Sequence, residues 1–202
     1  MNGYVLAGGA SWRFGLDKAR VELGGRPMLL RMVELVSAVA KSTQIVAMKG
    51  KYGEFGVSVV ADCWPGEGPL GGIITALEAS AKNGEKSKWN LIISCDMPFL
   101  TAEWLSFLTK RAQESDSDVV WPHSASGPEP LCACWRTQAV NTLRPAFGQG
   151  VRKVMDGVKQ LKAEVLDEKD WKRFDSAGRL FWNMNTQADY EEARRILETE
   201  KK

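Results

Sequence analysis

A short apolar strand that runs directly into a glycine-rich loop is the feature that most constrains this chain of 202 residues. Residues 4–6 form the predicted strand, glycines follow at positions 8, 9 and 15, and Arg13 and Lys18 lie in and after the loop. Glycines let backbone N–H groups approach an anion closely, and successive N–H groups in such a loop form a concave anion site. The two cations add charge that suits a polyphosphate. The sequence therefore predicts a phosphate-binding loop after the first strand.

This loop differs from the two commonest phosphate-binding motifs. A Walker loop places Lys and Ser or Thr directly after its last glycine, whereas Gly15 is followed by Leu16 and Asp17. The loop also lacks the dinucleotide-binding fingerprint, which is G-x-G-x-x-G directly after a strand. Both differences argue against a kinase-type or an NAD-dependent protein. The alternative is a glycine-rich turn with solvated cations, which the order of strand, glycine pair, Arg and Lys disfavours.

Apolar runs with strand character alternate with runs of helical periodicity, which favours an α/β fold with a mostly parallel sheet. The apolar run at 91–95 is typical of a central strand that is covered on both faces. Pro27 suits the first position of a helix, and Thr186 with Asp189 suits a helix N-terminus. The predicted strands are residues 4–6, 44–48, 57–61, 91–95, 119–121 and 131–135, and the predicted helices follow Pro27 and cover 73–82, 101–113, 139–146, 151–161 and 188–197.

Composition and charge exclude several classes of protein. Charged residues make up 26% of the chain with a formal net charge of +2, and interspersed acidic residues leave no electrostatic case for nucleic acid. No apolar run approaches the roughly 18 residues that span a bilayer, and a strand at residue 4 leaves no room for a signal peptide. We therefore expect a cytoplasmic protein without a membrane partner. The cysteines at 63, 95, 132 and 134 lack metal-site spacing and are predicted to be buried thiols.

Two aspartates come directly after predicted strands. Asp62 follows residues 57–61, and Asp96 follows residues 91–95. Ligands of parallel sheets bind at the carboxyl ends of the strands, so both carboxylates would share an edge with the glycine-rich loop. Mg²⁺ binds one or two carboxylates together with phosphate oxygens, and Asp96 is the better candidate because its strand is the most apolar. The alternative for each is a turn or N-cap aspartate.

Other features carry less information about function. Residues 66–73 form a second glycine-rich turn, whose bare backbone could contact a base or ribose or could simply provide a tight turn. His123 is the only histidine, lies in a loop-like region and has no partner for acid–base chemistry. No serine has a neighbouring base pattern, so a hydrolytic triad has no support.

Four motifs in this order resemble those of the molybdenum cofactor guanylyltransferases. The loop from Leu6 to Lys18 is similar to the signature loop of that family. Residues 68–72 (Gly-Pro-Leu-Gly-Gly) and 95–99 (Cys-Asp-Met-Pro-Phe) match its next two motifs. Residues 183–186 (Asn-Met-Asn-Thr) resemble its segment before the last helix. The resemblance covers about residues 3–197 and is specific for the wider nucleotidyltransferase superfamily.

The resemblance implies a Rossmann-like three-layer α/β/α sandwich of the nucleotide-diphospho-sugar transferase type. It implies a single domain over residues 1–202, with a nucleotide-binding half at 1–122 and an acceptor-binding half at 123–202. The implied reaction is transfer of GMP from GTP to the terminal phosphate of molybdopterin or of the molybdenum cofactor, with release of pyrophosphate and with Mg²⁺ as cofactor. Other proteins of cofactor synthesis are left open as partners.

Individual roles carry over by resemblance. Asp96 would bind the metal, and Asn183 would lie near the reacting phosphates or the pterin. The implied catalytic residues are Arg13, Lys18, Asp96 and Asn185, and the implied nucleotide-binding residues are Leu6, Ala7, Gly8, Gly9, Lys18, Asp62, Gly71 and Asp96. The chain departs from the family at Lys153, where a second arginine is usual, and at Ala47 and Met48, where some relatives carry an asparagine that contacts the nucleotide.

The implied chemistry agrees with the residues present. An acceptor phosphate is already ionised at neutral pH, so in-line attack on the α-phosphorus requires no general base, and catalysis rests on positioning and charge neutralisation. One alternative is a cytidylyl- or sugar-phosphate nucleotidyltransferase of the same fold. The cytidylyl relatives tend to have Leu-Ala-Ala-Gly in the first loop and Asp-Gln-Pro in the third motif. By this resemblance, Leu-Ala-Gly-Gly at 6–9 and Asp-Met-Pro at 96–98 favour GTP over CTP. The other alternative is a non-catalytic nucleotide-binding regulator, which retention of Lys18, Asp96 and Asn185 disfavours.

Overall fold

The computed structural model describes residues 1–8, 17–82 and 88–199. Its strands are β1 (Asn2–Leu6), β2 (Glu22–Leu23), β3 (Arg26–Pro27), β4 (Ser42–Ala47), β5 (Val59–Ala61), β6 (Trp89–Ser94), β7 (Val119–Ser124), β8 (Gly127–Pro128), β9 (Cys132–Arg136) and β10 (Ala163–Leu166). Its α-helices are α1 (Met28–Ser37), α2 (Pro69–Lys82), α3 (Ala102–Glu114), α4 (Val140–Gly148), α5 (Val154–Val158), α6 (Glu168–Trp171) and α7 (Gln187–Thr199). Short 3₁₀ turns lie at Gly53–Phe55, Thr137–Ala139 and Lys172–Phe174.

The main sheet is mostly parallel. Its strand order is β10-β7-β9-β6-β1-β4-β5, and β8 pairs with β7. β1 is parallel to β4 and β6, β4 is parallel to β5, and β10 is parallel to β7. β9 lies antiparallel between β6 and β7, so all the other strands on this path run in one direction. The predicted α/β fold with a mostly parallel sheet is confirmed.

Helices cover both faces of this sheet because its central strands alternate their side chains between two apolar clusters. Val5 of β1 packs in the cluster that contains the buried faces of α1 and α3, whereas Tyr4 and Leu6 pack in the cluster of α2, α4 and α5. The first five residues of β6 are buried, as predicted for a central strand. Each fully buried aliphatic side chain contributes about 1.5–3 kcal/mol. The result is the predicted three-layer α/β/α arrangement.

The parallel register brings the carboxyl ends of four strands to one edge of the sheet, called the carboxyl edge below. Leu6 lies opposite Val46 of β4 and Ser94 of β6. The next residues continue the pairing: Ala7 N donates to Val46 O at 2.9 Å, and Cys95 N donates to Leu6 O at 3.1 Å. Asp62 N, just past β5, donates to the carbonyl oxygen that ends β4, at 2.7 Å. The start of the glycine-rich loop and both aspartates therefore lie at the same edge of the sheet, as predicted.

Several local predictions were wrong. Pro27 is not the first helical residue: its ψ of 135° keeps it extended in β3, and α1 begins at Met28. The predicted helix 73–82 begins already at Pro69, so Gly71 and Gly72 lie in its first turns rather than in a loop. The predicted helix 151–161 shortens to α5, since Gly150 has a φ of 99° and residues 151–153 are extended or bent.

Three further differences concern side chains and missed elements. His123 lies in β7 and not in a loop, with its carbonyl oxygen accepting a hydrogen bond from Trp171 Nε1 at 3.0 Å. Cys63 is exposed, whereas the cysteines at 95, 132 and 134 are buried free thiols as predicted. β10, α6 and the hairpin of β2 and β3 were not predicted.

Within the described ranges, no helix has the length and apolar character needed to cross a bilayer.

Candidate active site

A cleft opens along the carboxyl edge, and six of the residues singled out by the sequence line it. These are Leu6, Ala7, Gly8, Lys18, Asp62 and Asp96. The backbone after β1 forms one wall, the start of α2 contributes Gly68, Pro69 and Gly72, and the turn after β6 contributes Cys95 and Asp96. The fold thus brings together groups that are distant in sequence, because parallel strands end side by side.

Gly8 and Asp62 lie next to each other in this cleft. A methyl group on Gly8 would lie 3.5 Å from Asp62 Oδ2. Asp62 is held in place from the other side, since its Oδ1 accepts hydrogen bonds from Trp64 N at 2.9 Å and from Thr75 Oγ1 at 3.2 Å. The remaining oxygen of Asp62 therefore faces the start of the glycine-rich loop, where it can accept a hydrogen bond from a hydroxyl group or a metal-bound water.

Asp96 presents an unsatisfied carboxylate oxygen. Its Oδ1 is buried and has no hydrogen-bond partner among the residues described. Leaving a buried acceptor without a partner is costly, and a carboxylate oxygen is a preferred ligand of divalent cations. No cluster of at least three His, Cys, Asp or Glu residues that could hold a metal occurs in the described ranges. A cation here would therefore take few protein ligands and complete its shell with phosphate oxygens and water, as Mg²⁺ commonly does.

The segment before α7 packs directly against Asp96. Met184 is buried in the core, and its backbone N–H donates to the carbonyl oxygen of Asp96 at 2.8 Å. This anchor holds the flanking Asn183 and Asn185 beside the carboxyl edge. Lys18 Nζ donates a hydrogen bond to Asn185 Oδ1 at 3.1 Å. The structure thus brings Lys18, Asp96 and Asn185 together, which the sequence motifs could only suggest.

A capping box fixes the start of α7. Asp189 Oδ2 accepts hydrogen bonds from the backbone N–H groups of Asn185 and Thr186, both at 2.7 Å, and Thr186 Oγ1 accepts one from Asp189 N at 3.2 Å. Burial of Asp189 acts to raise its pKa, but the hydrogen bonds from Asn185 and Thr186 outweigh it and hold the pKa below its usual value. The predicted cap at Thr186 and Asp189 is confirmed, and it orients the segment that carries Asn185.

Two residues of this region were not singled out by the sequence. Tyr52 lines the cleft, and its hydroxyl contacts both the Ala7 carbonyl and the Asp17 carboxylate. Glu129 is buried and accepts a hydrogen bond from Ser124 Oγ at 2.8 Å. Burial raises the pKa of Glu129, against the lowering effect of hydrogen bonds from Ser124 and Asn183. Neither residue belongs to a short functional motif, although Glu129 lies in the turn-forming run Gly-Pro-Glu-Pro at 127–130.

Burial also raises the pKa of the Cys95 thiol, with the nearby Asp96 acting in the same direction. Burial therefore favours the neutral thiol. Because the thiolate is the reactive form of cysteine, this environment disfavours a nucleophilic role for Cys95.

Other predicted residues lie apart from the cleft or outside the described ranges. A Cβ atom on Gly71 would lie 3.1 Å from Trp64 Cβ and 3.6 Å from Phe147 Cζ, so this glycine faces a packing contact. Gly9 and Arg13 lie outside the described residues. Arg152, the neighbour of Lys153, pairs with Glu67 (Nε to Oε2, 2.7 Å) at the loop before α2.

Comparisons with known proteins point to one family of enzymes. A family model described as a MobA-like NTP transferase domain matches residues 3–165. A probable molybdenum cofactor guanylyltransferase of Chloroflexus aggregans is 32% identical, over 94% of this chain and 91% of that protein. One of the same description from Carboxydothermus hydrogenoformans is 30% identical, over 96% and 94%. The crystal structure of molybdopterin-guanine dinucleotide biosynthesis protein A from Archaeoglobus fulgidus superposes with a TM-score of 0.84 at 27% identity, covering 98% of this chain and all of that chain (100%).

Proposed function

The chain belongs to the family of MobA-like NTP transferases, and we propose that it transfers GMP from GTP to the terminal phosphate of molybdopterin. The products would be the guanine dinucleotide form of the cofactor and pyrophosphate. The observation that carries this proposal is the convergence of Lys18, Asp96 and Asn185 at one edge of the sheet, in a chain about as long as the guanylyltransferases that it matches. The substrates of the proposed reaction are inferred from the names of those relatives.

The cleft can perform this reaction by positioning and electrostatics. The Lys18 ammonium neutralises charge on the triphosphate, and the backbone after β1 approaches the phosphates closely because Gly8 has no side chain. No general base is required, since the attacking phosphate oxygen is ionised at neutral pH. The described lining residues of the cleft include no histidine and no reactive thiol, and the reaction does not require one.

Mg²⁺ is the cofactor that fits the site, and Asp96 is the residue that would hold it. Its buried and unpartnered Oδ1 supports this assignment. When bound with the nucleotide, the metal supplies Lewis-acid polarisation and charge neutralisation at the phosphates. Asp62 contributes a second carboxylate, beside Gly8, that can orient the nucleotide.

Molybdopterin would bind beyond Asp96, in the half formed by residues 123–202. Asn183 and Glu129 lie on that side of the carboxyl edge, and Asn183 is close enough to act on the pKa of Glu129. Buried polar groups of this kind can recognise the hydrogen-bonding edge of a heterocycle. The location of the acceptor site, like the cytoplasmic location and any protein partners, stays a prediction.

Release of pyrophosphate tests the proposed function. The purified protein is incubated with molybdopterin, Mg²⁺ and one of GTP, CTP, ATP or UTP, with Asp96→Asn as the inactive control. We expect release that requires GTP, molybdopterin and the metal together. Faster release with CTP would favour a cytidylyltransferase, and GTP binding without any turnover would favour a nucleotide-binding regulator; either result would overturn the proposal.

A further inference from the structure

Tyr52 adopts an unusual backbone conformation at the wall of the cleft. Its φ of 64° is the only positive value at a non-glycine position within the described ranges. A bulky residue rarely takes this left-handed conformation, and such strain persists only where the surrounding structure imposes it. The side chain is 2% exposed, and its ring stacks on Phe55 with centroids 6.1 Å apart. The strain therefore holds one particular side chain in one particular place.

The Tyr52 hydroxyl touches both ends of the glycine-rich segment. It donates to the Asp17 carboxylate, with distances of 3.0 Å to Oδ1 and 3.2 Å to Oδ2, and lies 3.4 Å from the Ala7 carbonyl oxygen. Ala7 directly follows β1, and Asp17 directly precedes Lys18. A single phenol group therefore links the end of the strand to the turn that carries the phosphate-binding lysine.

Asp17 in turn closes that turn. Its Oδ1 accepts a hydrogen bond from Ala19 N at 3.2 Å, and its carbonyl oxygen accepts one from Arg20 N at 2.9 Å. Arg20 and Lys51 lie 3.7 Å and 3.9 Å from Asp17 Oδ2. The carboxylate thus ties the backbone on both sides of Lys18, and the hydroxyl of Tyr52 holds the carboxylate.

We propose that Tyr52 is a positioning residue that acts through Asp17 to hold the Lys18 turn in its nucleotide-binding geometry. This inference rests on the proposed function, since it takes GTP as the ligand of Lys18. Removing the hydroxyl takes away one of the groups that hold the Asp17 carboxylate. The turn then samples other conformations more often, and the Lys18 ammonium spends less time at the cleft. Binding of GTP weakens although Tyr52 itself touches no phosphate.

Tyr52→Phe is the variant that tests this role, because it keeps the ring in its packing and removes only the hydroxyl. We expect the Kd for GTP, measured by calorimetry, to rise about tenfold, which is the effect of one hydrogen bond to a charged group. Backbone amides 18–20 should exchange hydrogen faster, with or without GTP. Tyr190→Phe is the matched control, since it also removes one hydroxyl, which donates to the Glu22 carbonyl at 3.2 Å, and neither of these two residues lines the cleft.

A double-mutant cycle with Asp17→Asn separates positioning from general weakening. If Tyr52 acts through Asp17, each single variant weakens GTP binding and the double variant is no weaker than the worse single one. Additive losses would overturn the inference, as would wild-type affinity and wild-type exchange in Tyr52→Phe. If Tyr52→Phe does not fold, Asp17→Asn alone must still show faster exchange at amides 18–20 and weaker GTP binding. A wild-type protein that does not bind GTP would instead refute the proposed function, while the exchange measurement would still decide whether Tyr52 holds the turn.

Discussion

Lys18 Nζ lies 3.1 Å from Asn185 Oδ1, although the two residues are 167 positions apart in the chain. Lys18 lines the cleft after the first strand, and Asn185 precedes the last helix, so this hydrogen bond joins segments from the two ends of the chain at the cleft. The Asn185 amide orients an ammonium group that would otherwise rotate freely on its flexible stem. The pair defines where a triphosphate must lie if the proposed function is correct.

Replacing Lys18 should weaken nucleotide binding without unfolding the protein. In Lys18→Ala we expect the Kd for GTP to rise by about 10- to 100-fold, because a charge-assisted contact to the phosphates is lost. Calorimetry with GTP measures this, and Lys110→Ala, at an exposed lysine of α3, is the control. An unchanged Kd in Lys18→Ala would remove this residue from the site.

Replacing Asp96 by its amide should stop turnover and leave the fold intact. Asp96→Asn keeps the shape and removes the charge that would hold the metal, so we expect kcat to fall by about 10²- to 10³-fold. The melting temperature should not fall, since Oδ1 has no hydrogen-bond partner to lose within the described ranges. Asp116→Asn, an exposed aspartate before β7 and thus at the opposite edge of the sheet, is the matched control. Near-normal turnover of Asp96→Asn with Mg²⁺ would contradict the assigned role.

Two glycines should respond differently to the same substitution. In Gly8→Ala the new methyl group finds room, 3.5 Å from Asp62 Oδ2, but it blocks close approach of phosphate, so we expect weaker GTP binding at nearly unchanged stability. In Gly71→Ala the methyl group meets Trp64 instead, and GTP affinity should stay unchanged while the melting temperature shifts. Calorimetry and thermal unfolding of both variants measure the contrast. Equal losses of affinity in the two variants would show that Gly71 also binds nucleotide, as the sequence motif predicted.

The cap at Asp189 should make stability depend on pH in the acidic range. Because the folded-state pKa of Asp189 is lowered, its carboxylate stabilises the fold above about pH 5, and this contribution is lost as the pH falls below about 4. Asp189→Ala should lower the free energy of unfolding at pH 7 by about 1 kcal/mol or less, the low end for a cap, because the carboxylate is partly exposed to screening solvent. Urea unfolding at pH 7 and at pH 3 measures this. A difference between Asp189→Ala and wild type that is equally large at both pH values would contradict the expectation, and Asp116→Ala is the control.

The parts of the site that lie in short motifs at strand ends could be predicted from the sequence. Asp62 and Asp96 follow apolar runs, and parallel strands bring such positions to one edge whatever the details of the helices. Gly8 and Lys18 lie within one loop, so their proximity is local. For Asp62 and Asp96 the placement at one edge of the sheet follows from strand polarity alone.

The remaining parts depend on contacts that leave no local pattern. The link between Tyr52 and Asp17 spans 35 positions and lies in no motif, and the left-handed φ of Tyr52 has no signal in a residue that usually avoids it. β10 was missed because its alternation is weak and Val165 is half exposed. The residue type of Cys63 predicts burial, but Cys63 comes just after β5, the strand at one edge of the main sheet, and is exposed to solvent.

The central claim is that the carboxyl edge holds the triphosphate and its metal between Gly8, Lys18 and Asp96. A crystal structure with GTP and Mn²⁺ tests it most directly, because Mn²⁺ substitutes for Mg²⁺ and is located by its anomalous signal. We expect one anomalous peak about 2.0–2.3 Å from a carboxylate oxygen of Asp96, with the triphosphate beside Gly8 and the Lys18 ammonium. A nucleotide bound elsewhere on the protein, or a metal peak remote from Asp96, would contradict the account.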